Sequence, residues 1–366
     1  MSLHEKIGLL EELCATPGVS GFEEPVIRLV KREMLHHTSN VQVDRLGNVT
    51  SILPASRKDA LTLMIDAHID EIGFVVRHIR PDGFLRFYRV GHPIERVLPS
   101  IPVAIHADDG RRYFGTIGSK SHHSIPNEER DKVIPLDDLY IDAGFISADE
   151  VASAGIRVGS PISYWPNFQV LGDLVMAKTL DNRLLVWVML EVMERLAGQS
   201  LPVSVACVGA VQEEFTTRGG SVAAQAVQPD LALILDVAVA TDTPDLIGRE
   251  LPKAHLGDGV VINTFAYHPY QSLIGALANP NLYRQVKETA RRHEIKHVVS
   301  VASRVLTDAS HIQFQSGGIA VIELEIPTRY THTPIEAARL SDAQAMVELI
   351  THFVLDLPAD FDLTRG

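Results

Sequence analysis

Five short segments of the chain carry side chains that could bind a metal or move a proton. His68 and Asp70 lie two residues apart at the end of an almost continuous apolar run, 61–69, which reads as a buried strand. A period of two puts both, with Asp66, on one side of that strand. A buried carboxylate needs a partner, because an unpaired one costs on the order of several kcal/mol. The spacing therefore fits a structural Asp–His pair or an imidazole ligand with an acid beside it. Asp181, in Leu180-Asp181-Asn182-Arg183, opens a strongly apolar helix. A carboxylate there can be an N-cap or a ligand. Gln212-Glu213-Glu214 follows the apolar run 203–211, and Asp236 follows 231–235. Two adjacent acids point in different directions, so one can bind a metal while the other reaches a water. His332 stands in Tyr330-Thr331-His332-Thr333-Pro334, after the strand-like run 319–324. Each segment alone has an ordinary reading as a cap, a loop or a solvated acid. Together they supply two imidazoles, three carboxylates and a spare glutamate, which is what a two-metal hydrolytic site requires: N and O ligands for zinc-like ions, a bridging carboxylate, and a free carboxylate as base.

The elements that must position these residues follow from the apolar periodicity. Residues 3–14 and the stretch after Pro25 read as helices, the second opened by Ser20 and Glu23 in capping-box spacing. Residues 41–53 read as a hairpin around Leu46-Gly47-Asn48. Residues 184–196, 281–292 and 342–355 read as helices, and 203–211, 231–235 and 319–324 as buried strands. Between about Gly73 and Phe168 the texture changes to short β-like runs, 74–77, 84–90, 102–105 and 113–117, with one short helix at 148–154. The expected organisation is an α/β domain formed by 1–72 and 169–366, interrupted by a small all-β module at 73–168. In such a sheet, ligands gather at the carboxyl ends of the strands, where the five segments fall.

Composition narrows the class of partner. Of 366 residues, 46% are hydrophobic and 22% charged, as in a soluble globular chain. Thirty-three basic against 46 acidic residues give a net charge of −13, which argues against nucleic-acid and anionic-membrane binding. No run of 18 apolar residues suggests a membrane span, and the first residues lack a signal-peptide pattern. Cys14 and Cys207 stand far apart and suit a reducing compartment. A soluble cytoplasmic enzyme is the expectation.

The same segments resemble the tetrahedral (TET) aminopeptidases, also filed as glutamyl or deblocking aminopeptidases and sometimes labelled endoglucanases. The resemblance is carried by Ala67-His68-Ile69-Asp70-Glu71-Ile72-Gly73-Phe74, Leu180-Asp181-Asn182-Arg183, Gln212-Glu213-Glu214, Leu235-Asp236 and Arg329-Tyr330-Thr331-His332-Thr333-Pro334. Gly115-Thr116-Ile117-Gly118-Ser119-Lys120, Tyr140-Ile141-Asp142-Ala143-Gly144 and Thr307-Asp308-Ala309 extend it over nearly the whole chain. It implies a mixed-sheet, zinc-peptidase-like catalytic domain with an inserted PDZ-like dimerisation domain. It implies that Asp181 bridges two divalent metals, that His68 and Asp236 complete one, and that Glu214 and His332 complete the other. Zinc or cobalt would be expected, with manganese as a third candidate. Glu213 would be the general base acting on a water between the metals, and Asp70 would orient His68. The implied activity removes N-terminal residues from small peptides, in a dimer-based homo-oligomer with the dodecamer favoured. The sequence departs from the pattern at Asp66, at Leu184-Leu185 and at Phe215-Thr216-Thr217. These departures bear on substrate preference, which the sequence does not reveal.

Two rival readings compete with this one. His293-Glu294-Ile295-Lys296-His297 matches the HExxH motif of zincin-type metalloproteases, which requires both histidines on one helix face. Arg291-Arg292 before it and the β-branched 298–301 after it suggest a helix end turning into a strand instead. The other rival is a shell-forming scaffold with an inactive site, against which the intact ligand set counts. A glycosidase would need two carboxyls facing each other across about 5–10 Å, which the adjacent Glu213 and Glu214 do not suit.

Overall fold

The computed structural model of the chain describes residues 3–268, 274–358 and 360–365. Its frame is a nine-stranded mixed sheet. Four parallel strands form the middle: Ser204–Ala210, Thr62–His68, Leu231–Val239 and Ala320–Thr328, in that spatial order. Strands Val49–Leu53 and Val260–His268 flank them antiparallel, and the remaining three strands lie beyond these. The central strands are buried on both faces, which explains their continuous apolar sequence. On one face, helices Leu180–Leu196 and Leu340–Asp356 pack with Leu63, Ile65, Leu233 and Leu324 into the main core. On the other, Gly219–Val227 and Ala309–Ile312 cover Met64, Val208, Ile234 and Val321.

The change of texture after residue 72 corresponds to a closed β-barrel. Its strands are Gly73–Ile79, Leu85–Val90, Tyr140–Asp142, Arg112–Gly118, Pro102–His106 and Pro161–Tyr164. The barrel has its own core, centred on Phe74, whose ring meets Phe87 and Tyr164 edge to face at 5.1 and 5.7 Å. A third, three-stranded sheet joins Gln169–Leu171 and Leu174–Ala177 to Glu336–Arg339.

Three local expectations change. Ser20 does not cap the helix Glu24–Leu35: Glu23 is the residue before that helix and makes no side-chain cap, while Ser20 Oγ donates to Asp70 Oδ2 at 2.5 Å. The tertiary fold directs that hydroxyl to a buried acid fifty residues away. The strand at 231–235 continues to Val239, because pairing with Ala320–Thr328 runs on through Asp236. Strand Val260–His268 and the strands of the three-stranded sheet were not anticipated.

Candidate metal centre

The four central strands end on the same edge of the sheet, and each delivers a predicted residue there. His68 is the last residue of its strand, opposite Ala210. Glu213 and Glu214 open a short helix two residues past the strand Ser204–Ala210. Asp236 lies within Leu231–Val239, and His332 lies in the loop after Ala320–Thr328. Asp181 comes from below, at the start of Leu180–Leu196, where the backbone at Asp181 and Asn182 is not helical. Asn182 Nδ2 donates to the Leu235 carbonyl at 2.8 Å and ties this turn to the strand carrying Asp236.

The side chains converge in two groups. Ligand atoms of His68, Asp181 and Asp236 all lie within 4.8 Å of one another, and so do those of Asp181, Glu214 and His332. Asp181 is common to both, with Oδ1 at 3.2 Å from His68 Nε2 and Oδ2 at 3.6 Å from His332 Nε2. His332 Nε2 is also 3.5 Å from Glu214 Oε2. Glu213 belongs to neither group, and its Oε2 lies 3.9 Å from His68 Nε2. Two imidazole nitrogens and carboxylate oxygens around a shared carboxylate suit zinc-like cations.

Asp70 does more than accompany His68. Its Oδ1 is 3.4 Å from His68 Nδ1, and the same carboxylate accepts the amides of Glu213 at 3.0 Å and Glu214 at 3.1 Å. It therefore fixes the turn that carries both glutamates. The ring of His332 is held from the barrel side: its Nδ1 lies 3.2 Å from the His92 carbonyl, so donation there leaves Nε2 free to accept.

The site is crowded with buried acids. Burial pushes the Glu213 carboxyl well up; His68 opposes this, and Asp236 and Glu214 add to it. Burial also raises Glu214 and Asp236, each with Asp181 adding to the effect. Burial would raise Asp181 too, but its hydrogen bond with His68 holds it low. Burial disfavours charge on His68, yet Asp181 and Asp70 hold its pKa well above the usual value. Several buried acids face too little positive charge, a deficit that divalent cations would remove.

Behind this layer lie residues that sequence reasoning did not single out. Glu71 accepts from Lys178 Nζ at 2.5 Å and Thr179 Oγ1 at 2.7 Å, anchoring the approach to Asp181. Glu336 binds the backbone of both Asp181 and His332. The one local signal was polar residues inside apolar surroundings, such as Lys178 after Leu174–Ala177. Asp66 faces Asp308, and both acids are raised: Asp66 by burial and then Asp308, Asp308 by burial to about 7.

A cavity of about 710 Å³ opens over the centre, lined by His68, Asp181, Glu213, Glu214, Asp236 and His332 among others. Phe215, Thr216 and Thr217 also line it, whereas Leu184 and Leu185 are buried in the main core. Of the three departures from the family pattern, only Phe215-Thr216-Thr217 lines the cavity.

The HExxH stretch does not form a zincin site. The helix Pro280–Arg292 ends before it, Glu294 has φ +55°, and His297 begins the strand His297–Ser303. His293 Nε2 instead pairs with Asp356 Oδ2 at 2.8 Å, and His297 Nδ1 lies 2.9 Å from the Ile295 carbonyl.

A mixed α/β fold with candidate metal ligands gathered at the strand ends is compatible with a metallohydrolase, and comparison with known proteins narrows the reading. Residues 47–349 match the M42 glutamyl aminopeptidase family, and the chain belongs to that family. It is a hydrolase acting on peptide bonds. The Escherichia coli (strain K12) protein SgcX, which carries an aminopeptidase name, is 38% identical over 91% of this chain and 89% of its own. The aminopeptidase APDkam598 from the archaeon Desulfurococcus kamchatkensis superposes with a TM-score of 0.91 at 33% identity, covering 98% of this chain and 96% of that one. The Pyrococcus horikoshii TET1 peptidase, described as able to assemble into a tetrahedron or a large octahedral shell, superposes with a TM-score of 0.84 at 28% identity, covering 96% and 100%. Among the described residues no helix is long and apolar enough to cross a membrane.

Proposed function

We propose that the chain is an aminopeptidase dependent on two divalent cations, one held by His68, Asp181 and Asp236, the other by Asp181, Glu214 and His332. The observation that carries this reading is the pair of ligand groups sharing Asp181. Zinc or cobalt suits these N and O donors, with manganese as a third candidate. Bound there, the cations would polarise the scissile carbonyl and acidify a water at the site. Glu213, which lies in neither ligand group, takes the proton from the attacking water and returns it to the leaving amine. Asp70 keeps Glu213 in place through its amide and keeps His68 facing the site.

The substrate's free α-amine meets the carboxylates at the floor of the cavity, which restricts cleavage to N-termini of small peptides. Residues 73–168 form an inserted domain, PDZ-like in role, through which copies pair. The likeness to a shell-forming peptidase supports a homo-oligomer, with the dodecamer as the favoured state. A cytoplasmic location fits the pair of buried free cysteines, Cys14 and Cys207. Aminoacyl-nitroanilides assayed with zinc, cobalt and manganese test the reading. Activity should require added metal, and acetylated peptides should resist. Efficient cleavage of blocked peptides, or full activity in metal-free protein, would defeat it.

A further inference from the structure

The geometry points to Glu336 as a positioning residue that sets the affinity of the second cation, an inference that rests on the dinuclear reading above. Glu336 opens the strand Glu336–Arg339, in register with Ala177, and is 2% exposed. That register places it beside the turn leading to Asp181. It also stands at the foot of the loop carrying His332, which is closed by reciprocal backbone bonds between Arg329 and Ala337. Its two oxygens divide the work: Oε2 accepts the Asp181 amide at 2.9 Å, and Oε1 accepts the His332 amide at 2.9 Å. One carboxylate therefore fixes the spacing between the shared ligand and the loop ligand.

The two ligand groups depend on this clamp unequally. His68 and Asp236 stand on central strands whose ladders hold them without Glu336. His332 stands on a loop, with φ +64° and its side chain 30% exposed. Its backbone is held in that unfavourable conformation by the hydrogen bond that its N–H donates to Glu336, and its ring by the His92 carbonyl. A glutamine at 336 keeps the volume but turns one acceptor into a donor, so one of the two amides loses its partner. The loop is the less constrained of the two and moves. Removing a group that orients a metal ligand costs on the order of 10–100-fold in affinity.

Metal-free protein titrated with Co²⁺, followed by visible absorption and calorimetry, separates the two cations. The parent should bind two equivalents. Glu336→Gln should bind the first within about threefold of the parent and the second at least about tenfold more weakly, as His332→Ala should. Millimolar Co²⁺ should then restore kcat, because Glu336 does not reach the substrate. Unchanged affinities in Glu336→Gln, or equal weakening of both cations, would overturn the assignment. Glu336→Asp keeps a carboxyl group but cannot span both amides, so it should show the same split if the glutamine variant does not fold. Collapse of both variants in a thermal melt would make Glu336 a folding residue and overturn the assignment too. A parent that binds fewer than two equivalents would instead overturn the dinuclear reading itself.

Discussion

Asp70 accepts the backbone amide of Glu213 at 3.0 Å, through the same Oδ1 that stands 3.4 Å from His68 Nδ1. One carboxylate thus couples a metal-ligand candidate to the turn carrying the proposed base. Asp70→Asn keeps one acceptor and presents an amide group to the remaining partners. We expect cation affinity to fall on the order of 10–100-fold and turnover at saturating metal to fall as well. Equilibrium dialysis and kcat at saturating metal check both effects. A loss confined to metal affinity would mean that Asp70 serves His68 alone.

Glu213 and Glu214 should separate by mutation. Glu213→Gln keeps volume but removes the base, so both cations should remain while turnover falls on the order of a hundredfold or more. Glu214→Gln should weaken the cation shared with Asp181 and His332. Metal analysis beside steady-state rates distinguishes them, and equal metal loss in both variants would contradict the assigned roles.

Much of the site was legible because strand ends were legible. The apolar runs at 61–69, 203–211 and 231–235 each stop near a carboxylate or imidazole, and the parallel sheet brings those stops to one edge. The helix Leu180–Leu196 was visible too, though its irregular start at Asp181 and Asn182 was not, since that backbone is set by contacts with Leu235 and Glu336. Ser20 and Glu23 misled for the same reason: capping spacing is local, while the bond that Ser20 makes to Asp70 is set by the fold. Lys178, Glu71 and Glu336 act across 107 and 155 residues of sequence, in the contacts to Glu71 and to Asp181, and no periodicity reports such partners.

The histidines of the HExxH stretch should be dispensable. His293→Ala with His297→Ala should leave metal content and peptidase activity within a few-fold of the parent, because the helix Pro280–Arg292 ends before both residues and His297 already lies in a strand. Loss of metal from a folded double variant would contradict this.

Burial, with the Asp70 carboxylate adding, pushes Glu23 up to about 7 against the pull of the Gly21 amide. The folded state then holds this proton more tightly than the unfolded chain, whose value is near 4.5. Stability therefore falls as pH rises from about 4.5 to 7, and the penalty persists above that range. Glu23→Gln should leave the thermal midpoint of the metal-free protein unchanged at pH 4 and raise it at pH 8, by an amount corresponding to roughly 1–3 kcal/mol. A larger gain at pH 4 than at pH 8 would contradict the assigned burial of that charge.

The most direct test of the dinuclear account is the metal content of Asp181→Asn beside the parent, since Asp181 is the one residue common to both ligand groups. Each protein is stripped, exposed to a modest excess of zinc, desalted and analysed by mass spectrometry, with circular dichroism confirming the fold. The account predicts about two zinc ions per parent chain and well under one for the variant, with peptidase activity lost in parallel. A folded Asp181→Asn that retains two zinc ions, or a parent that never holds more than one, would contradict it.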